Sequence, residues 1–126
     1  MKLLHLGDLH LGKSLGEFDL YEDQKYILDQ ILSIIREKEI DGVLIAGDVY
    51  DRAVPSESAM NLLDYFLKSL ADQKVKTFMI SGNHDSDDRL GYGSRLFESS
   101  HIYIAAQFRG TLYKKTVIDE YGEADF

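Results

Sequence analysis

Three short polar clusters hold the side chains of this chain best suited to chemistry. They are Gly7-Asp8-Leu9-His10, Gly47-Asp48-Val49-Tyr50-Asp51 and Gly82-Asn83-His84-Asp85. Each opens on glycine, which lets the backbone turn sharply, and then offers carboxylate, amide or imidazole groups. Oxygen and imidazole donors in one place suit divalent cations of the manganese, iron or zinc kind. The same residue types also build turns and helix caps, so each cluster taken alone is ordinary loop chemistry. Their placement sets them apart. Each follows an apolar run of strand length, and in an open parallel sheet ligands gather beyond the carboxyl ends of the strands. Three such clusters on one sheet edge would converge.

The elements that must bring them together can be read from hydrophobic periodicity. Residues 2–7 predict a strand. Ile27, Leu28, Ile31, Leu32, Ile34 and Ile35 recur at helical spacing and predict a helix over 21–38. Residues 42–46 form a continuous apolar run, expected of a parallel strand buried on both faces. A second helix is expected over 56–72, with Pro55 before it, Ser56 as N-cap and Glu57 at its positive end. A third strand covers 77–80. A shorter helix over 87–99 is weakened by Gly91 and Gly93, with Asp85 and Ser86 capping it and Asp87 and Asp88 in its first turn. Runs 102–106 and 111–118 are expected to pair as a hairpin about Arg109-Gly110. This order, β-α-β-α-β-α-β-β, predicts an α/β fold with a largely parallel sheet. His5 is expected in the core, within the first strand, and His101 carries no motif. Met60, Leu63 and Leu67 on the second helix read as a core stripe with Leu70, the alternative being a dimer face.

The 126 residues are one domain's worth, and 44% hydrophobic content can fill a core. The absence of cysteine excludes a disulfide framework and a thiolate zinc site. Residues 1–8 form neither a signal peptide nor a membrane span, so a cytoplasmic protein with no membrane association is expected. The formal charge of −8 excludes a surface that grips nucleic acid by charge alone. Divalent cations would supply positive charge where a phosphate must sit. The Asn83-x-Asp85-x-Asp87 run fits a calcium loop only in part, since Asp88 stands where glycine is needed and Ser94 where glutamate is needed. Phosphate-loop, dinucleotide and nucleophile-elbow motifs are absent.

Asp-x-His, Gly-Asp-x-x-Asp and Gly-Asn-His-Asp, in this order, resemble the opening half of the calcineurin-like metallophosphoesterase signature. The stretches "LLHLGDLHLGKSL", "IAGDVYDRAVPS" and "SGNHDS" resemble more narrowly the SbcD-type DNA nuclease family, from residue 1 to about residue 106. The resemblance implies the N-terminal part of an αββα sandwich, a mainly parallel sheet flanked by helices. It implies two divalent metal ions, manganese first, with iron or zinc as alternatives. Asp8 and His10 would be ligands of the first ion, Asp48 the bridging carboxylate, and Asn83 a ligand of the second. His84 would stabilise the transition state and protonate the leaving oxygen, with Asp51 orienting its ring. Lys13, Arg52 and Arg89 flank these clusters in the sequence and read either as contacts to phosphates or as ordinary surface cations.

The implied activity is metal-dependent DNA cleavage, as exonuclease or endonuclease, by a homodimer acting with an SbcC-type ATPase in DNA end processing and repair. Two other readings stay open: a phosphoesterase for small phosphoesters, and a non-catalytic assembly fragment. The family completes its site with Gly-His and Gly-His-x-His motifs. This chain has only His5, His10, His84 and His101 and departs from the family there. Residues 1–126 are therefore expected to be a partial domain lacking the C-terminal histidine motifs, and inactive alone.

Overall fold

Four strands lie parallel in one sheet, in the same order as in the chain. The computed structural model describes residues 1–52, 54–80, 101–105 and 116–126. In chain order the elements are β1 (Leu3–Gly7), β2 (Ser14–Leu15), β3 (Phe18–Asp19), α1 (Tyr21–Glu37), β4 (Gly42–Ala46), α2 (Glu57–Asp72), β5 (Lys76–Ile80), β6 (Ile102–Ala105), β7 (Thr116–Asp119) and β8 (Gly122–Asp125). The main sheet runs β1-β4-β5-β6. Right-handed crossovers between strands added in one direction put α1 and α2 on the same face. There they touch: the Tyr65 hydroxyl on α2 donates to the Asp29 carboxylate on α1. That hydrogen bond, with burial and the carboxylate's charge, holds the Tyr65 hydroxyl above its ordinary pKa.

Strand alternation divides the sheet into two unlike faces. Val43, Ile45, Met79 and Ile102 are buried against Leu28, Leu32 and Ile35 of α1 and Leu62, Phe66 and Leu70 of α2. Leu63 and Leu67 are buried too, as the core-stripe reading requires, while Met60 is exposed. On the opposite face His5, Leu44, Phe78 and Tyr103 lie in register across the four strands. Phe78 stacks on Tyr103 at 5.2 Å and on Phe126 at 4.6 Å. This face is only partly covered among the described residues. Leu44 is half-buried rather than buried on both sides, and His5 is exposed. The core position expected for His5 is therefore corrected: odd-numbered positions of β1 point away from the helices.

Both helices begin and end for local reasons. Ser56 accepts a hydrogen bond from the Ala59 N–H at 3.2 Å and caps α2. At α1 the Asp19 carboxylate accepts from the Tyr21 N–H at 2.9 Å. Each helix closes with the paired bonds of a Schellman motif. Ile40 N–H reaches Ile35 C=O at 3.0 Å and Glu39 reaches Arg36 at 3.3 Å; Val75 reaches Leu70 at 3.1 Å and Lys74 reaches Ala71 at 2.9 Å. The left-handed positions, normally glycine, are Glu39 (φ 54) and Lys74 (φ 59).

β6 joins β5 in parallel, and the described part of the last run, β7, pairs antiparallel with β8, a strand not among those expected; much of the hairpin expected between 102–106 and 111–118 lies outside the described residues. The hairpin β2–β3 has no counterpart among the expected elements. The expected helix over 87–99 and the turn at Arg109-Gly110 lie outside the described residues. No helix among the described residues is long and apolar enough to cross a membrane.

Candidate metal centre

β1 and β4 are neighbours, with Gly7 in register with Ala46, so the loops that follow them leave the same sheet edge. Backbone bonds then join the two loops. His10 N–H donates to Asp48 C=O at 2.9 Å, Leu11 N–H to Val49 C=O at 2.8 Å, and Asp51 N–H to Leu11 C=O at 3.0 Å. Leu11, Val49 and Tyr50 are buried beneath them. This apolar footing lets the polar residues between them face outward on a fixed backbone. Gly47 N–H donates to Ile80 C=O at 2.9 Å, tying the second loop to the end of β5. The chain leaves β5 at that same edge toward Asn83 and His84, which lie outside the described residues, as does Arg89.

Asp8, His10 and Asp48 converge: one ligand atom from each lies within 4.8 Å of the others. His10 Nε2 is 3.9 Å from Asp8 Oδ1, and His10 Nδ1 is 3.4 Å from Asp51 Oδ1. Asp51, expected to orient His84, thus lies against His10 Nδ1, while the Nε2 side of that ring faces Asp8. A carboxylate behind a ring nitrogen is the usual way a ligating imidazole is held. Two carboxylates and an imidazole at this spacing form a donor set that fits a divalent cation. Without a positive charge among them the carboxylates would repel each other.

The backbone under these residues is unusual. Asp8, His10 and Asp48 have φ of 52°, 46° and 45°, in the left-handed region that disfavours L-residues by about 1–2 kcal/mol each. Among the described residues, the other non-glycine cases are Glu39 and Lys74 at helix ends and His101 just before β6. Strain gathered at the three candidate ligands is the pattern of a site whose geometry is imposed by its surroundings.

Lys13 and Arg52 are both exposed beside these loops. Arg52 lines a cleft of about 260 Å³ with Gly12, Ser14, Glu17, Asp19 and Ser56. Sequence reasoning missed Gln24. Its amide oxygen accepts from the Gly12 N–H at 3.0 Å, and its Nε2 donates to the His10 carbonyl at 2.8 Å. Its only trace in the sequence is a polar residue near a helix start.

The family profile for calcineurin-like phosphoesterases matches residues 1–124. The chain is similar to the SbcD subunit of nuclease SbcCD from Staphylococcus epidermidis, 45% identical over 108 residues that cover 85% of this chain and 29% of that protein. It is similar also to the same nuclease subunit from Staphylococcus saprophyticus, 44% identical over 105 residues covering 82% and 28%. The chain thus spans less than a third of the length of these relatives.

Proposed function

The chain belongs to the calcineurin-like phosphoesterase family, and on that premise we propose that it carries metal-ligating loops of a metal-dependent DNA nuclease subunit of the SbcD kind. The observation that carries this reading is the meeting of Asp8, His10 and Asp48 at one sheet edge. Identity of 44–45% to two proteins named as SbcCD nuclease subunits supports DNA over small phosphoesters. Divalent ions of this family would be held by Asp8, His10 and Asp48, with Asn83 joining from the end of β5. Manganese is the first candidate and iron or zinc the alternatives. When bound, such ions polarise a phosphodiester and acidify the attacking water.

The chain's own residues supply position and protons. Asp48 would be a ligand of both ions and Asp8 of one. Asp51 lies 3.4 Å from His10 Nδ1 and orients the His84 ring. His84 donates the proton that the leaving oxygen needs. Arg52 and Lys13, exposed beside the loops, contact phosphates, where the −8 chain otherwise repels a polyanion. The partners proposed for the whole protein are DNA, an SbcC-type ATPase and a second copy of itself, in the cytoplasm.

The test uses the full-length protein with its ATPase subunit, manganese, and linear DNA beside a small aryl phosphodiester. DNA cleavage should dominate. His84→Ala should cut turnover at least a hundredfold, the scale of a lost general acid, with metal content retained. Asp48→Ala should lose metal. Equal metal loss in both variants contradicts the role given to His84, and preferential hydrolysis of the small diester contradicts the nuclease reading.

A further inference from the structure

We infer that Gln24 is a positioning residue that clamps the His10–Gly12 turn in its ligand-presenting form. The inference rests on the metal reading above for its consequence, though the clamp itself is visible in the hydrogen bonds. Gln24 lies in the first turn of α1, where its own N–H donates to the Leu20 carbonyl at 2.9 Å. Further along, Leu28, Leu32 and Ile35 bury the same helix in the core. Its backbone is therefore fixed by core packing along the rest of the helix.

From that anchor one primary amide grips two points of the turn. The His10 carbonyl accepts from Gln24 Nε2 at 2.8 Å and from the Lys13 N–H at 3.2 Å. The Gly12 N–H donates to Gln24 Oε1 at 3.0 Å. Donor and acceptor must sit on one group and reach a carbonyl and an N–H two residues apart. Glutamine does both. Ionised glutamate keeps the acceptor and loses the donor, leucine loses both, and asparagine is one methylene shorter.

The turn needs an external hold because its conformation is unfavourable. His10 has φ 46. Gly12 has φ +90, and a Cβ there would come within 2.9 Å of the Ala59 Cβ on α2. The turn is thus pressed against α2 on one side and bonded to α1 on the other. The half-buried amide makes each bond worth more than it would be in open water. Gln24 transmits the rigidity of the helical layer to His10 without touching its imidazole.

The experiment compares the wild-type chain, Gln24→Leu and Gln24→Glu by amide hydrogen exchange and by calorimetric titration with manganese alone. Gln24→Leu should speed Gly12 amide exchange at least tenfold while β4 and mid-α1 amides keep their protection. It should also weaken manganese binding at least tenfold, the usual scale for losing a group that orients a metal ligand. Gln24→Glu should lose less of the Gly12 protection than Gln24→Leu, because the acceptor survives while the donor to the His10 carbonyl is lost. Unchanged Gly12 exchange in Gln24→Leu overturns the inference. So does a rise in exchange throughout the chain, or loss of Gly12 protection in Gln24→Glu equal to that in Gln24→Leu. Exchange is read without metal, so a wild-type chain that takes up no manganese would count against the metal centre while the clamp is still decided by Gly12.

Discussion

Asp8, His10 and Asp48 are held where L-residues are reluctant to go. Their types and order could be read from the sequence, because each follows an apolar run directly. Their strain could not, since nothing in Asp-x-His announces a positive φ. This strain has a measurable consequence. Asp8 is exposed, and its φ of 52° suits glycine. Asp8→Gly should therefore raise metal-free stability by about 1 kcal/mol, through relief of backbone strain and of carboxylate repulsion. The same change should weaken manganese binding. Denaturant unfolding and calorimetry on one variant measure both, and a loss of stability would show that the backbone at Asp8 is not strained. Gln24 was beyond sequence reasoning for another reason: its partners are 12 and 14 residues away, across a hairpin that carries no hydrophobic period.

Elements with a clear hydrophobic period were readable, and those without one were not. α1 ends one residue before the predicted boundary, α2 starts after the predicted Ser56 cap, and β4 matches residues 42–46. Strands β2 and β3 have two residues each, too few to show a period, and Gly16 (φ 60) is the local cue to their turn. β8 escapes the same reasoning because its Gly-Glu-Ala-Asp has no apolar alternation. Helix ends offer a further prediction. Lys74 occupies the left-handed position that closes α2, and Val75 stacks its bond on Leu70. Lys74→Gly should stabilise the chain by about 1 kcal/mol. Ser56→Ala should cost about 1 kcal/mol by removing the cap bond to Ala59. Thermal unfolding of both variants should move the midpoint in opposite directions; a shared direction would mean that one of the two ends does not behave as its geometry indicates.

On the scale of the whole molecule, two helices among the described residues bury one sheet face, while the candidate ligands sit in loops at the strand ends. The pattern of β1, β4 and β5 made that edge foreseeable; the unequal cover of the two sheet faces among the described residues was not, because a run such as Gly42–Ala46 reads as buried on both sides. The central claim is that this edge binds a divalent cation through specific ligands rather than through the general attraction of a chain with charge −8. Calorimetric titration of manganese into the wild-type chain, Asp48→Ala and Asp64→Ala tests it most directly. Asp64 is an exposed carboxylate on α2, so its removal takes away one negative charge, as Asp48→Ala does, and leaves the loops intact. The account predicts saturable binding that survives Asp64→Ala and disappears in Asp48→Ala. Equal affinity in all three proteins, or equal loss in both variants, would contradict it.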